Sequence, residues 1–558
     1  MADSLSFTVH RGDGAALLAF DVDKKLADDL AGFAVECVPP KGDPYMLLNR
    51  LSFEQEITAD TTPSERKWTP TDEAPIQKFH WIHFPKDVPP GEFTYKATAM
   101  RFAAGKETEL EAGPTAEFSL ELRDEGYGKL ELGFTRGYIS SQAYAERFDN
   151  ADIEPNPATA VFDTARYEEQ YKWLGAHARK LVFEVIDETL DDKDLELDVF
   201  AYDFDEPDVA RALAKLGSRL RLYLDDSDIK KGTAASVRKA EALAVVCDPV
   251  NPKIVQRGNF SRFAHDKVLI QKRKGKPVKV LSGSANFSIR GFYVQSNNIF
   301  VFDDEAVASL YEEAFEQAWK EPSKFSRSPI AAKWFPEEAA KTAELPAYRV
   351  SFAPHVDPEV SLKPVAEAIE GAKSSVLFSI MEIGKGTGKV LEAVRDLPNR
   401  DDLYAFGTTQ ALDGSLKVTA PSTDSVFIPF EYLHEKVPDP FKAEIKGGSG
   451  MVIHNKFVIV DFNGDDPIVY AGSSNLAAGG EAENGDNLVE FRDAAIASTY
   501  AVEAIRLIDH YRFRAAMKGA TKAEPLRLKT RSEGWAKDYF DSKSPKFLER
   551  ELFARNSP

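Results

Sequence analysis

Apolar and polar residues alternate in short runs along the first 125 residues. Ser6-Phe7-Thr8-Val9-His10, Ala34-Val35-Glu36-Cys37-Val38, Phe79-His80-Trp81-Ile82-His83-Phe84, Phe93-Thr94-Tyr95-Lys96-Ala97 and Glu117-Phe118-Ser119-Leu120-Glu121-Leu122 place apolar side chains largely at every second position. That is the period of a half-buried strand. Pro39-Pro40-Lys41-Gly42 and Pro89-Pro90-Gly91 punctuate the runs as turns. Several short strands of this kind predict an all-β sandwich over residues 1–125.

From residue 126 the pattern changes to apolar runs separated by helical periodicity. Leu130-Glu131-Leu132-Gly133-Phe134-Thr135-Arg136 is similar to Tyr348-Arg349-Val350-Ser351-Phe352-Ala353-Pro354. Each leads into a helical stretch and then an apolar run, Lys180–Val185 and Ser375–Ile380, both expected as strands. In the first half Leu197–Tyr202, an amphipathic run through Val209, Leu213 and Leu216, and Leu220–Leu224 spell strand, helix, strand. Lys389–Val394 and Asp402–Phe406 supply the helix and strand of the second half. This α/β grammar occurs twice. It predicts two pseudo-equivalent α/β domains, 126–335 and 336–525, joined across Ala331–Pro346. Residues 526–558 are charged but punctuated by Trp535, Tyr539, Phe540, Phe547, Leu552 and Phe553. Aromatics at that density predict a tail packed on the catalytic body.

A chemical pattern repeats on the same two halves. His265-Asp266-Lys267 is followed by Gly283-Ser284-Ala285-Asn286, and His454-Asn455-Lys456 by Asp461 and Gly472-Ser473-Ser474-Asn475, 189 residues further on. In both copies an Asn follows the His by 21 positions. The apolar runs Val268-Leu269-Ile270 and Phe457-Val458-Ile459-Val460 read as buried strands. Residues two apart on a strand share a face, so each copy sets an imidazole beside an ammonium. Two facing half-sites would surround one anion with two His, two Lys and two Asn.

These residues resemble the phospholipase D superfamily, whose signature is H-x-K-x4-D followed by G-S-x-N. The resemblance covers residues 130 to 520. The second copy fits throughout, with Asp461 closing the first element; the first copy carries Lys272 in that place. The family often has an acid eleven positions beyond the last Asn, and here Asp486 and Asn297 stand there. The resemblance implies a phosphodiesterase that needs neither metal nor cofactor. One neutral imidazole attacks phosphorus to give a phosphohistidine. The other protonates the leaving alkoxide, then deprotonates water or an alcohol. Lys267, Lys456, Asn286, Asn475, Ser284 and Ser473 would hold the phosphoryl oxygens, preorganised donors of this kind contributing about 3–4 kcal/mol each. Asp461 and Asn297 are expected to be structural. If Asp486 serves His454, the carboxylate favours its imidazolium, making His454 the starting acid and His265 the nucleophile. Outside the motif, Pro90–Tyr95 resembles a strand entry of fibronectin type III and immunoglobulin-like domains. A domain of that kind would offer a surface to a protein or carbohydrate partner.

Composition narrows the substrate. The net charge of −20 opposes non-specific nucleic-acid binding, which draws on Lys and Arg at phosphates. Phospholipid head groups are therefore favoured over nucleic acid, by hydrolysis or transphosphatidylation; a nuclease and an inactive scaffold are the competing readings. Both motif copies lie on one chain, so a monomer suffices for the site. Two cysteines, Cys37 and Cys247, do not make a disulfide framework. The first residues carry no basic and apolar signal segment and no stretch approaches the ~20 apolar residues of a membrane span. The expectation is a cytoplasmic protein, although export by a specialised secretion system would leave no such mark. The basic turn Lys272-Arg273-Lys274-Gly275-Lys276 reads as a solvated hairpin rather than a phosphate-binding rim. His10, His80, His83, His177, His355, His434 and His510 fall outside the motif, with His80 and His83 expected on the sandwich surface. The acidic runs 203–206 and 303–305 are expected to cap helices or face water.

Overall fold

The computed structural model describes residues 4–555 apart from 63–64, 123–126, 228–231, 382, 384–385, 411–426 and 430–452. The N-terminal region is β-rich. Strands β1 (Leu5–Arg11), β2 (Ala16–Val22), β3 (Leu30–Val38), β4 (Tyr45–Met46), β5 (Leu48–Asn49), β6 (Thr69–Pro70), β7 (His80–His83), β8 (Glu92–Phe102) and β9 (Leu110–Glu121) follow in order. They form a three-stranded sheet β1-β2-β7, a four-stranded sheet β4-β3-β8-β9 and the pair β5-β6. The alternation works as the pleat requires: Phe93, Tyr95, Ala97 and Ala99 of β8 are buried with Phe7, Phe20 and Phe33 in one core. Cys37 is buried there and both cysteines are free. His80 and His83 are buried rather than on the surface. His83 bridges the hydroxyls of Tyr95 (2.9 Å) and Tyr45 (3.2 Å).

Two mixed α/β sheets follow. The first half runs β10 (Leu130–Phe134), α1 (Ser141–Phe148), α2 (Glu168–Asp191), β11 (Leu195–Ala201), α3 (Pro207–Leu216), β12 (Leu220–Asp225), α4 (Ala234–Val246), β13 (Val255–Gly258), β14 (Val268–Arg273), β15 (Lys276–Gly283), β16 (Asn298–Phe302) and α5 (Glu305–Lys320). The second runs β17 (Phe335–Ala340), β18 (Ala347–Ala353), α6 (Glu359–Glu370), β19 (Ser375–Ser379), α7 (Lys389–Asp396), β20 (Tyr404–Thr409), β21 (Phe427–Pro429), β22 (Phe457–Val460), β23 (Ile468–Gly472), α8 (Ala478–Glu483), β24 (Asp486–Arg492) and α9 (Ala494–Gly519). The sheet orders are β10-β16-β15-β14-β11-β12-β13 and β17-β18-β24-β23-β22-β19-β20-β21. Apart from the added edge strand β17, which lies in the expected joint, the orders superpose strand for strand. The sheets share a core, with Phe302 stacked on Phe491 at 6.0 Å and Tyr500 of α9 edge-on to Phe134 and Phe457.

One expected strand is a helix. Lys180–Val185 lies inside α2, where Leu181, Val182, Val185 and Ile186 are buried at helical spacing. A short apolar run does not by itself distinguish the two periods. The first-half counterpart of β19 is β11: each pairs parallel with the next strand and antiparallel with a motif strand. The tail divides between two neighbours, where the sequence expectation named only the catalytic body. Trp535, Tyr539 and Phe540 pack into the N-terminal core. Leu552 and Phe553 of α10 (Pro545–Ala554) enter the core shared by the two sheets. His80 pins the junction, meeting Asp509 of α9 at 3.0 Å and Glu549 of α10 at 2.9 Å.

Candidate active site

Each motif strand begins where it touches the opposite half. Ala264 bridges Gly485, and the His265 N–H donates to the Gly485 carbonyl at 2.9 Å. Ser296 bridges Ile453, and the His454 N–H donates to the Ser296 carbonyl at 3.3 Å. The H-x-K residues thus sit at the seam, just ahead of β14 and β22, with both His and both Lys buried. Lys456 Nζ donates to the His454 carbonyl at 2.8 Å, and Lys267 likewise bends back onto the His265 carbonyl.

The side-chain pairing crosses the seam. His265 Nδ1 meets Asp486 Oδ1 at 2.7 Å, and His454 Nδ1 meets Asn297 Oδ1 at 2.8 Å. Asp486 therefore partners the histidine of the other copy, correcting the expectation that it serves His454. The physical reason lies in the strand order: β24 and β16, which begin next to Asp486 and Asn297, are the strands whose approaches bridge the opposite motif. Asn297 is correspondingly part of the site's polar network rather than only a structural residue. The motif serines hold these partners in place. Ser473 Oγ donates to Asp486 Oδ1 at 2.8 Å, and Ser284 Oγ to Asn297 Oδ1 at 2.9 Å. Their turns need glycine: Gly283 and Gly472 have φ of +150° and +154°, and a Cβ would lie 2.3 Å from the carbonyl oxygens of Asn298 and Asn487.

Burial and mutual repulsion set the charges. Burial lowers the proton affinity of His265, with Lys267 and Lys456 adding to the effect. It lowers that of His454 likewise, with Lys456 and then Lys267. Both lysines therefore act on both rings. Burial also brings Lys267 down to about 8 against the pull of Asp486, and pushes Asp486 up to about 7 against that of Lys267. Asp266 is raised to about 7 by burial and by Asp486.

The two motif amides differ. Asn286 Nδ2 donates to Asp203 at 3.2 Å, whereas Asn475 Oδ1 is buried without a hydrogen-bond partner. Asp461 Oδ1 accepts the backbone N–H groups of Lys373, Ser374 and Ser375 at 2.8, 2.7 and 3.3 Å, fixing the entry to β19. Lys272 lies instead in a buried ionic cluster, 2.5 Å from Asp198 and 3.4 Å from Glu312. Arg273 and Lys274 pair with Asp192 and Asp194, so the basic turn is matched by local acids. The acidic runs cap helices, through Glu206 at α3 and Asp304 at α5. Among the described residues no three His, Cys, Asp or Glu side chains stand together as metal donors. His434 lies outside the described residues.

Several site residues escaped the sequence reading. Asn298 Nδ2 donates to the Tyr500 hydroxyl at 2.7 Å, and the Tyr311 hydroxyl donates to Asn487 Oδ1 at 3.1 Å. Asn487 Nδ2 donates to Asp266 at 2.7 Å. Tyr311 and Tyr500 are themselves 189 residues apart, so extending the repeat would have found them. Tyr202 had no such signal. Its ring meets His265 edge-on at 4.8 Å, with Lys267 5.0 Å and Lys239 5.3 Å from its centre.

Comparison with known proteins bears on the same residues. Residues 187–319, which contain the first motif copy, match the family described as cardiolipin synthase, PLD-like domain. The chain is 27% identical over 151 residues to the mitochondrial cardiolipin hydrolase of Xenopus laevis, covering 27% of this chain and 63% of that protein. The match to the protein of the same name from Xenopus tropicalis is 26% over 152 residues, again 63% of its length. The chain thus spans less than two thirds of these curated relatives. Among solved structures it is similar to Nuc, a phospholipase D family member from Salmonella typhimurium, at 22% identity over 26% of this chain and 88% of that one, with a TM-score of 0.21. It is also similar to phosphatidylserine synthase of Haemophilus influenzae Rd KW20, at 10% identity over 68% and 91%, with a TM-score of 0.38.

Proposed function

Because the chain belongs to the phospholipase D superfamily, we propose that it is a phosphodiesterase acting on phospholipid head groups through a phosphohistidine on His265. The observation that carries this reading is the crossed pairing of the two motif histidines. With Asp486 ionised, His265 donates Nδ1–H to it and presents a bare Nε2 to phosphorus. The carboxylate then stabilises the positive charge the ring gains as the N–P bond forms. As the P–O bond breaks, His454 gives its Nε2 proton to the departing alkoxide. Burial and the lysines oppose an imidazolium at His454, and a bound phosphodiester anion between those lysines supplies the counter-charge that restores it. In the second step His454 takes a proton from water or an alcohol, whose oxygen attacks phosphorus and releases His265.

Lys267, Lys456 and the Asn475 amide are proposed to hold the non-bridging oxygens, so the reaction needs no metal. The division at 1–125, 126–335, 336–525 and 526–558 remains our reading of the domains, with an immunoglobulin- or fibronectin III-like sandwich at the N-terminus. The first boundary falls among residues 123–126, outside the described ones. Among the described residues no helix is long and apolar enough to cross a membrane. The test is turnover in excess chelator on phosphatidylglycerol and phosphatidylcholine vesicles, with single-stranded DNA and RNA as alternatives. Release of head group with label trapped on His265 is expected. Activity confined to the nucleic acids would replace the substrate class, and complete loss in chelator restored by one divalent ion would remove the mechanism.

A further inference from the structure

A second charged cavity, of about 340 Å³, lies where the N-terminal region meets the catalytic body. Its walls are the β1–β2 turn at Asp13–Ala15, the segment Phe84–Val88, the end of β10, and helices α2 and α9. We infer that it binds a compact multivalent anion of the phosphorylated small-molecule class, and that the occupant acts on His454 through Thr135.

The charge of the lining carries the first part. Lys86, Arg136, Lys172, Lys180 and Arg506 face three carboxylates, Asp13, Asp87 and Glu503, in a chain whose total charge is −20. Two of those carboxylates are already engaged. Glu503 forms an ion pair with Arg506 at 2.7 Å. Asp13 meets His177 Nδ1 at 2.8 Å and accepts the Phe134 N–H at 2.9 Å. Only Asp87 then stands against Lys86, Arg136, Lys172 and Lys180, a local excess that an anion would complement. Backbone geometry marks the same place. Ala176, on the wall, has φ 43° and ψ −137° and breaks α2. An L residue holds such a conformation only when its surroundings enforce it, and strained residues of this kind gather at ligand clamps. Next to the break, the Leu174 carbonyl accepts the Arg136 N–H at 2.8 Å and ties the end of β10 to the broken turn.

Connection to the seam carries the second part. Arg506 Nη2 donates to the Thr135 carbonyl at 3.1 Å. Thr135 and Asn297 exchange two hydrogen bonds, Thr135 N–H to the Asn297 carbonyl at 3.0 Å and Asn297 N–H to Thr135 Oγ1 at 2.9 Å. Asn297 in turn holds His454 Nδ1. An anion that draws Arg506 towards itself therefore acts one residue from the carbonyl that orients the proposed acid. No first-half or second-half residue alone builds the cavity, which gives the N-terminal region a part in it through Asp13 and Lys86.

Pyrophosphate titrated calorimetrically into the full chain tests the binding. Lys172→Glu/Lys180→Glu is expected to weaken it about tenfold or more, while Lys267→Ala/Lys456→Ala leaves this site in place. Lys172 and Lys180 side chains are 60% and 51% exposed, so their reversal spares the core, as a thermal melt will verify. Binding that survives the Glu variant unchanged, or that vanishes in the Ala variant with its fold intact, overturns the site. This arm does not depend on the proposed chemistry; the kinetic arm rests on it. At saturating substrate pyrophosphate should change kcat at least twofold in the parent protein and not in Lys172→Glu/Lys180→Glu. Purely competitive inhibition, equal in both, would overturn the link to His454.

Discussion

The two halves of the catalytic body share a sheet order, a motif and a repeat of 189 residues, yet they hand their histidines different partners. The second half gives a carboxylate, Asp486, to His265; the first gives a neutral amide, Asn297, to His454. They also close their motif strands with opposite charges, Asp461 collecting backbone N–H groups and Lys272 collecting carboxylates. A duplicated scaffold can thus keep two imidazoles in equivalent places while making one a nucleophile and the other an acid. The difference is written in the opposite half, so neither half specifies its own histidine.

The strongest way to break this comparison is to remove each ring. His265→Ala should abolish the phosphoenzyme and lower turnover by at least about 10⁴-fold. His454→Ala should still phosphorylate His265 from a nitrophenyl phosphodiester, whose leaving group needs no acid, and the intermediate should accumulate on intact-mass analysis. Label on His454 in the His265 variant would invert the roles. Exchanging the partners comes next. Asp486→Asn should cost about 10²–10³-fold in kcat, while Asn297→Asp, which makes the halves alike, should stay within about tenfold and move the basic limb of the kcat profile upward, because a carboxylate favours the His454 imidazolium. Equal losses in both would show that the asymmetry carries no function.

The pH dependence of kcat/KM sharpens the same point. Below about 7, Asp486 takes up a proton and no longer accepts from His265; above about 8, Lys267 loses its charge. A narrow bell between those values is expected, its acid limb displaced in Asp486→Asn. This replaces the sequence expectation that Asp486→Asn would act on the basic limb, which followed from pairing it with His454. The smallest effect on catalysis should come from the motif-closing residues. Lys272→Ala leaves Asp198 to Arg221, and Asp461→Ala leaves three N–H groups short of an acceptor. Each should cost about 2 kcal/mol in denaturant unfolding with kcat nearly unchanged.

What could be read in the sequence followed from exact repetition. His265/His454, Lys267/Lys456 and Asn286/Asn475 recur at one spacing, and the alternation in runs such as Phe93–Ala97 reports a pleat directly. What could not be read depended on contacts between distant segments. The seam decides which histidine Asp486 meets, and no local spacing encodes it. Lys180–Val185 was misplaced because a six-residue apolar run fits a buried helix as well as a strand. Tyr202 reaches His265 only because β11 lies beside β14, and the fate of Lys272 depends on Asp198 and Glu312, one on a neighbouring strand and the other on a helix.

The placement of α10 has a consequence for biosynthesis. His10 Nε2 meets the Phe553 carbonyl at 2.8 Å, Trp535 Nε1 donates to the Leu30 carbonyl at 2.7 Å, and Arg550 reaches Asp21. The strands made first are therefore covered by residues made last. At about 5–20 residues per second the ribosome leaves that apolar face open for on the order of a minute. During that interval the nascent N-terminal region is a client for chaperones, and a protease cut near residue 530 would return the finished protein to the same uncovered condition.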